Sequence, residues 1–520
     1  MLSKTESRNP WLFVPSVYFA EGLPYILINS VSVILYKNMG VSNAKIAFWT
    51  SWLYLPWVIK MLWGPMVDMY GTRRSWVVYT QLIMACCLGA SALSLAGQHF
   101  FAVSLVSFAV GAFISATHDI AVDGFYMLAL TKEDQAFFVG IRSMFYRFAM
   151  IFGTGFLVFR AGKMQEAGDT PAAGWGTMLT ISAAFFLALF IYHKFALPYP
   201  AEDVSKAKAE PGPLLRSVLT LVLYLAAAGA IIWIFDHLSG VGQKFASAAF
   251  LAAALVFACR RYFFGRLKAK MAEEGNSFNE AFISYFTQDG IGYIVAFILF
   301  YRLAEAMLLK MTQPFLLDAA EKGGLGIATA EVGIIYGTIG MTALITGGLL
   351  GGWLISKYGF RRCLWPMVLA LHVPDVFYLY MAYAQSKLDY IMINLSEYQS
   401  ALSLIPAIGR YLVKFAQGSL QIPFGTIPLL VAAEQFGYGI GLTAFTVYLM
   451  MICKGKFKTA HFAISTGIMA LGMMAPGMIS GLLQQRYGYQ RFFLIICILT
   501  IPGILVIFRL PINEGIESRQ

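Results

Sequence analysis

Eleven ionisable residues, Glu21, Lys60, Asp119, Asp123, Arg142, Arg147, Arg302, Glu305, Lys310, Asp375 and Glu434, fall in or near long apolar runs of this sequence. At the centre of a membrane helix an Arg, Lys or Asp costs about 2.5–3.5 kcal/mol, against a gain of about 0.3–0.6 for a Leu or Phe. Such residues must face a bundle interior or a water-filled path, where they bind solutes, carry protons or pair with one another. Asp119 and Asp123 are four apart and share a helix face. They fit a shared proton, or they are partners for Arg142 or Arg147 on the next helix. Arg302 and Glu305, three apart, either pair with each other or serve a site. Lys60 and Lys310 either snorkel or line a path. Glu21 stands beside Gly22 and Pro24, which loosen a helix and free backbone groups near a carboxylate. An arginine stays charged and offers a planar fork that matches carboxylate or phosphate. Arg142, Arg147 and Arg302, with Lys60 and Glu21, are therefore the expected residues for an anionic solute; Asp119, Asp123, Glu305 and Glu434 are the expected proton carriers.

Other chemistries find little support. His118 adjoins Asp119, but neighbours on a helix point about 100° apart, which is poor geometry for a dyad. No activated Ser or Cys signature, HExxH pair or phosphate loop is visible, so an enzyme is not expected, and neither is a cofactor or a metal. The six cysteines show no ligand spacing and read as small hydrophobes. With no ATP-binding motif, any transport would be secondary.

The elements that hold these residues are membrane spans. Of 520 residues, 59% are hydrophobic and 12% charged, whereas soluble domains carry roughly 25% charged residues. The net charge of +11 sits in short clusters between apolar runs, which is a topology signal and not a nucleic-acid footprint. The first run, 11–36, is too long for a signal-peptide core and is expected to remain as a span. Spans are expected at 11–36, 46–67, 76–96, 100–128, 136–159 and 175–195, then at 214–235 and 246–262, and finally at 291–317, 331–356, 363–384, 425–452, 461–483 and 492–510, about fourteen in all. The chain divides into an N-terminal six-helix bundle (1–197), a linker with two extra spans (198–277) and a C-terminal six-helix bundle (278–520).

Internal similarity supports the two halves. The segment Gly64, Asp68, Tyr70, Gly71, Arg73, Arg74 recurs as Gly352, Ser356, Tyr358, Gly359, Arg361, Arg362, and Gly40 to Ile46 recurs as Gly326 to Val332 at nearly the same offset. A weaker echo, Gly481, Tyr487, Gly488, Arg491, falls after the eleventh span of the core, where an inverted three-plus-three repeat would place it. With the N-terminus inside, about twice as many Lys and Arg fall in inner loops as in outer ones, so both termini are expected in the cytoplasm. The long outer stretch 385–424 carries apolar residues at helical spacing over 401–415, which reads as an amphipathic helix on the outer surface or packed on the bundle.

The chain resembles the AmpG-type muropeptide permeases of the peptide and acetyl-CoA transporter group in the major facilitator superfamily. The resemblance rests on Glu21-Gly-Leu-Pro24, Leu55 to Asp68, Thr117-His-Asp119 to Asp123, Tyr301-Arg302-Leu-Ala-Glu305, Pro314-Phe-Leu, Ala433-Glu434 and Thr459 to Ser465. It implies an all-α membrane protein with the major facilitator fold: two pseudo-symmetric six-helix bundles plus two transmembrane helices. It also implies proton-driven import of anhydro-muropeptides through a bacterial inner membrane, by a monomer whose partners are an anionic small molecule, protons and lipid. Ala304-Glu305 departs from the pattern, where an Asp after Tyr-Arg-Leu-Gly is expected, and the 385–424 insertion is unfamiliar. Another anionic solute, such as acetyl-CoA or a siderophore, and a non-transporting sensor are the alternatives.

Overall fold

The computed structural model describes residues 8–60, 67, 71–203, 283–388, 390–394, 421–453 and 458–511. The two spans expected in the linker, Gly64, Asp68 and the 401–415 surface helix lie outside the described residues.

Helices follow the apolar runs. The first rod consists of α1 (Val14–Ile26), a wide-turned segment Leu27–Val31 and α2 (Ser32–Asn38). It is followed by α3 (Asn43–Trp52), α4 (Leu55–Ile59), α5 (Arg73–Ser94), α6 (Phe100–Ala129) and α7 (Lys132–Ile151). A second wide-turned segment, Phe152–Leu157, joins α7 to α8 (Val158–Glu166), and α9 (Pro171–Ala196) closes this half. The C-terminal half holds α10 (Ile291–Phe300), α11 (Leu303–Leu317) and α12 (Thr329–Val332), then a third wide-turned segment, Gly333–Gly340. It continues with α13 (Met341–Tyr358), α14 (Phe360–His372), α15 (Asp375–Ala384), α16 (Thr426–Met451) and α17 (Lys458–Ile507), which Gly488 breaks into two rods. Among the described residues, nine helical segments are long and apolar enough to cross a membrane.

The repeats noticed in sequence share one backbone device. Gly71, Gly359 and Gly488 take φ of 77°, 81° and 73°, a left-handed turn that a side chain resists. Gly40 and Gly326, the second repeated pair, match at 79° and 66°. At the first of these turns, Asp203 accepts from the backbone amides of Arg73 (2.7 Å) and Arg74 (2.9 Å), so a carboxylate sits on the positive end of α5. The Arg74 guanidinium donates to the carbonyls of Lys194 and Leu197 at the end of α9. In the second copy, Gly352, Arg361 and Arg362 are exposed.

Lipid supplies no hydrophobic drive for helix association, so close packing does. In the C-terminal half, Gly347 of α13 lies against the backbone of Phe436, and Gly439 of α16 against that of Leu344; a side chain at either would force the helices apart. Tyr301 stacks on Phe445 with ring centroids 5.3 Å apart, and Phe315 meets Phe493 edge-on at 4.9 Å. One buried cluster runs from Leu23 and Ile28 through Phe315 to Phe493 and so joins the halves.

Two details depart from a plain bundle of rods. The expected span 291–317 is interrupted at Tyr301 and Arg302, where Arg302 takes φ −109°, ψ 13°. The 385–424 stretch opens with a single helical turn, Gln385–Lys387, and then carries two paired strands: β1 (Tyr390–Asn394) runs antiparallel to β2 (Gln421–Gly425), with Tyr390 opposite Gly425. The Tyr390 hydroxyl donates to Glu331 at 2.6 Å, tying this ribbon to the start of α12. Burial and the Glu331 carboxylate both push the Tyr390 phenol up from its usual range.

Candidate solute cavity

A cavity of about 620 Å³ lies between the two halves, a size that suits a small-molecule ligand. The N-terminal half contributes Glu21, Tyr25, Tyr54, Arg142, Tyr146 and Arg147; the C-terminal half contributes Arg302, Lys310, Tyr336 and Tyr438, together with a soft apolar wall that includes Leu344, Met469, Met473 and Met474. Tyr25 gathers the rings of one side, with Trp57 at 5.3 Å and Tyr54 and Tyr146 each at 6.3 Å.

The charged residues separate into paired and unpaired sets. Arg142 donates to Asp123 Oδ1 at 3.0 Å and to the Tyr18 hydroxyl at 2.9 Å. Lys60 forms an ion pair with Asp119, and Lys60 is not among the residues that line the cavity. Arg147 makes no ion pair among the described residues and stands half-buried at the wall. Arg302, 7% exposed, donates to the Tyr438 hydroxyl and contacts Met469 Sδ at 3.7 Å, and its Nε has no partner. Arg302 and Glu305 do not pair: both oxygens of Glu305 are buried without a hydrogen bond. Lys310 does not snorkel; its ammonium reaches across the halves to Thr50 Oγ1 at 3.1 Å. Glu21 faces Asp119, Asp123 and Lys60, with Oε2 buried and unpartnered. Three cations and one carboxylate thus meet the cavity without an ion-pair partner among the described residues.

His118 faces away from the carboxylates, with its Nε2 3.2 Å from Gln81, and Gln81 reaches on to His193, which in turn meets Ser16. This buried polar chain braces the N-terminal bundle. Glu434 does not line the cavity; it accepts from Gln435, which does, at 2.9 Å and from Tyr378 at 3.3 Å.

One end of the cavity is sealed by contacts between the halves that the sequence did not bring forward. Lys37 and Asp318 pair at 2.6 Å. Asn43 accepts from Lys37 (2.7 Å) and donates to Asp318 (3.2 Å), Gln484 (2.8 Å) and Tyr489 (3.0 Å). Tyr489 also donates to Asp318 at 2.7 Å. Beside this network Asn38 accepts from Trp175 at 2.9 Å and from Thr329 at 3.2 Å. Deeper in, Gln313 donates to Ser30 at 2.7 Å, and Thr154 to the Gly337 carbonyl at 3.3 Å. All three wide-turned segments take part in or adjoin these contacts, as such turns often do at functional sites. The one signal in sequence was the repeat over 40–46, which contains Asn43. A shallow cleft of about 810 Å³ lies outside the seal.

No family model matches the chain. The anhydromuropeptide permease of Escherichia coli (strain K12) is 22% identical over 494 residues, covering 94% of this chain and 77% of that protein. The putative transporter AmpG 1 of Rickettsia prowazekii (strain Madrid E) is 20% identical over 469 residues, covering 88% and 89%. Among solved structures, the peptide transporter POT in complex with sulfate superposes with a TM-score of 0.61 at 15% identity over 97% of this chain and 96% of that one. The D-xylose-proton symporter gives 0.60 at 11% identity over 97% and 98%. The chain is thus a multi-pass membrane transporter, not an enzyme, with the major facilitator fold, and over most of its length it resembles the AmpG-type permeases.

Proposed function

We propose that this chain imports an amphiphilic anion of the anhydro-muropeptide class from periplasm to cytoplasm, driven by protons, by alternating access. The observation that carries the reading is the set Arg147, Arg302 and Lys310, which face the cavity without an ion-pair partner among the described residues, against the single unpaired carboxylate Glu21. Guanidinium forks suit the carboxylates of a peptide, tyrosine rings suit sugar faces, and the methionine wall suits acyl and methyl groups. The permease relatives favour this solute over acetyl-CoA or a siderophore.

On the basic-residue bias we take the Lys37–Asp318 end as periplasmic, so that the seal faces outward. Both termini then lie in the cytoplasm, and the chain works as a monomer. Proton coupling is assigned to the Glu21, Asp119 and Asp123 group: a proton on Asp123 or Asp119 would release Arg142 or Lys60 from its ion pair and so link protonation to the charge available for the solute. Glu305 and Glu434 are next in line.

Uptake of a labelled panel of cell-wall fragments into cells lacking and expressing this chain tests the solute. Accumulation of fragments that keep their peptide carboxylates, and none of analogues without them, is expected; equal uptake of both would overturn anion recognition. Asp119→Asn and Asp123→Asn should each abolish uphill accumulation while protein remains in the membrane. Should both still accumulate solute with normal sensitivity to an uncoupler, those acids are structural.

A further inference from the structure

Behind the cavity wall, three carboxylates from three helices converge. One oxygen from each of Glu305 (α11), Asp375 (α15) and Glu434 (α16) can be chosen so that all three lie within 4.8 Å of one another. These residues are 1–2% exposed. No hydrogen bond reaches either oxygen of Glu305 or of Asp375, and only Glu434 is served, by Gln435 and Tyr378. A fourth donor points at the group: His372 is 5% exposed, neither of its nitrogens has a partner, and its Nδ1 lies 3.8 Å from Asp375 Oδ2.

Buried polar atoms are nearly always satisfied, and an uncompensated buried charge costs several kcal/mol. Four bare carboxylate oxygens and a bare imidazole in one place are a set of donors without an acceptor of their charge. The spacing admits a single ion, since oxygens held at about 2.3–2.6 Å from one centre sit within about 5 Å of each other. What favours a calcium-like ion over Mg²⁺ is the cage of protein groups, because Mg²⁺ keeps several waters and is usually held by only one or two carboxylates. Arg302 lies nearby and acts on Glu305; three carboxylates and one guanidinium leave a deficit that a divalent cation cancels. The three converging groups offer carboxylate oxygens and no sulfur, which suits a hard cation over a thiolate-seeking one, and the imidazole stands 3.8 Å from Asp375 at their edge.

We propose that Glu305, Asp375 and Glu434, with His372 beside them, form a binding site for a hard cation of calcium-like size in the core of the C-terminal bundle. Sequence reading expected no metal because the three ligands come from positions far apart in the chain and show no local spacing. The site is one residue from the cavity, since Gln435 and Ala306 line the wall while their neighbours Glu434 and Glu305 do not, so its occupancy would set the rigidity of that wall. Binding to the purified chain is measured without transport, so the outcome is independent of the solute.

The test uses the full chain in detergent, stripped with a chelator, and follows melting temperature and radiolabelled Ca²⁺ binding, with Mn²⁺, Na⁺ and Mg²⁺ as further probes. Ca²⁺ should raise the melting temperature progressively with concentration and bind at one ion per chain; Na⁺ in its place would assign the same site to the monovalent ion of that size. Glu305→Gln, Asp375→Asn and Glu434→Gln should each weaken binding by about tenfold or more, yet melt no lower than the parent in metal-free buffer, because each removes an uncompensated charge. The proposal is overturned if no cation shifts the melting temperature, if the shift persists when all three are substituted together, or if only a fall in pH stabilises the chain, which would make the cluster a proton store.

Discussion

Asp318→Asn offers the sharpest test of the sealed end. The Lys37 and Asp318 side chains are 14% and 7% exposed, and Asp318 also accepts from Asn43 and Tyr489. Removing one member of a buried pair costs about 3–5 kcal/mol. Lys37 keeps Asn43 Oδ1 as an acceptor and has some access to water, which reduces the loss to roughly 2–3 kcal/mol. Because the contact joins the two halves, that loss falls on the closed arrangement alone. At 1.4 kcal/mol per tenfold, the closed-to-open ratio should drop roughly 30- to 150-fold, so a 99:1 preference falls to between about 3:1 and about 2:3. Spin labels at Glu166→Cys and Lys322→Cys, exposed on opposite rims of the outer cleft, in a background free of the native cysteines, report the separation by pulsed electron resonance. A second, longer distance should appear in Asp318→Asn. The double variant Lys37→Met with Asp318→Leu leaves no orphan charge, so the opening that remains in it reports the hydrogen bonds that Asn43 and Tyr489 lose with Asp318. An unchanged distance distribution in Asp318→Asn would show that this pair does not hold the halves together.

Three further outcomes are expected. Arg302→Lys keeps the charge but loses the fork, and should weaken solute binding roughly tenfold, the worth of one charged hydrogen bond, at near-normal expression; Arg142→Lys should do less, since Asp123 already holds that side chain, and equal affinity in parent and Arg302→Lys would remove Arg302 from the site. Gly337→Val would drive a side chain into the Thr154 backbone and should cost about 1–3 kcal/mol of overpacking, read as a lower melting temperature; a parent-like melt would mean that the contact opens freely. Alkaline phosphatase inserted in the turn at Gly168 should be active and the same reporter fused after Gln520 silent, and strong activity at Gln520 would invert the orientation.

The halves were legible in sequence because a left-handed turn demands glycine. Gly71, Gly359 and Gly488 are spaced by the repeat and adopt the same φ, so a one-dimensional pattern reported a three-dimensional one. The charged residues were legible singly and illegible as pairs. Asp123 could have met Arg142 or Arg147, and only the packing of α6 and α7 against α1, whose Tyr18 meets both side chains, chooses Arg142; helices surrounded by other helices and lipid are apolar on every face, so periodicity says little about which way a side chain points. Lys37 and Asp318 end apolar runs, where a charge is ordinary, and nothing local marks them as partners 281 residues apart. The ribbon at 390–394 was hidden for another reason: its partner strand contains Pro423, and a proline argues against a strand unless it lies on an edge.

The unlike walls of the cavity carry a consequence for selectivity. Tyrosine and arginine dominate the face from the N-terminal half, thioethers and leucine the face from the C-terminal half, and the proposed alternating access would bring these faces together. A molecule that satisfies only one face can dwell there without drawing the halves together. Such a fragment would be an occupant and not a passenger: it would block the larger solute competitively while failing to exchange across the membrane. Discrimination would then reside in the closing step, so that inhibitors outnumber cargoes and the tightest ligands need not be the fastest.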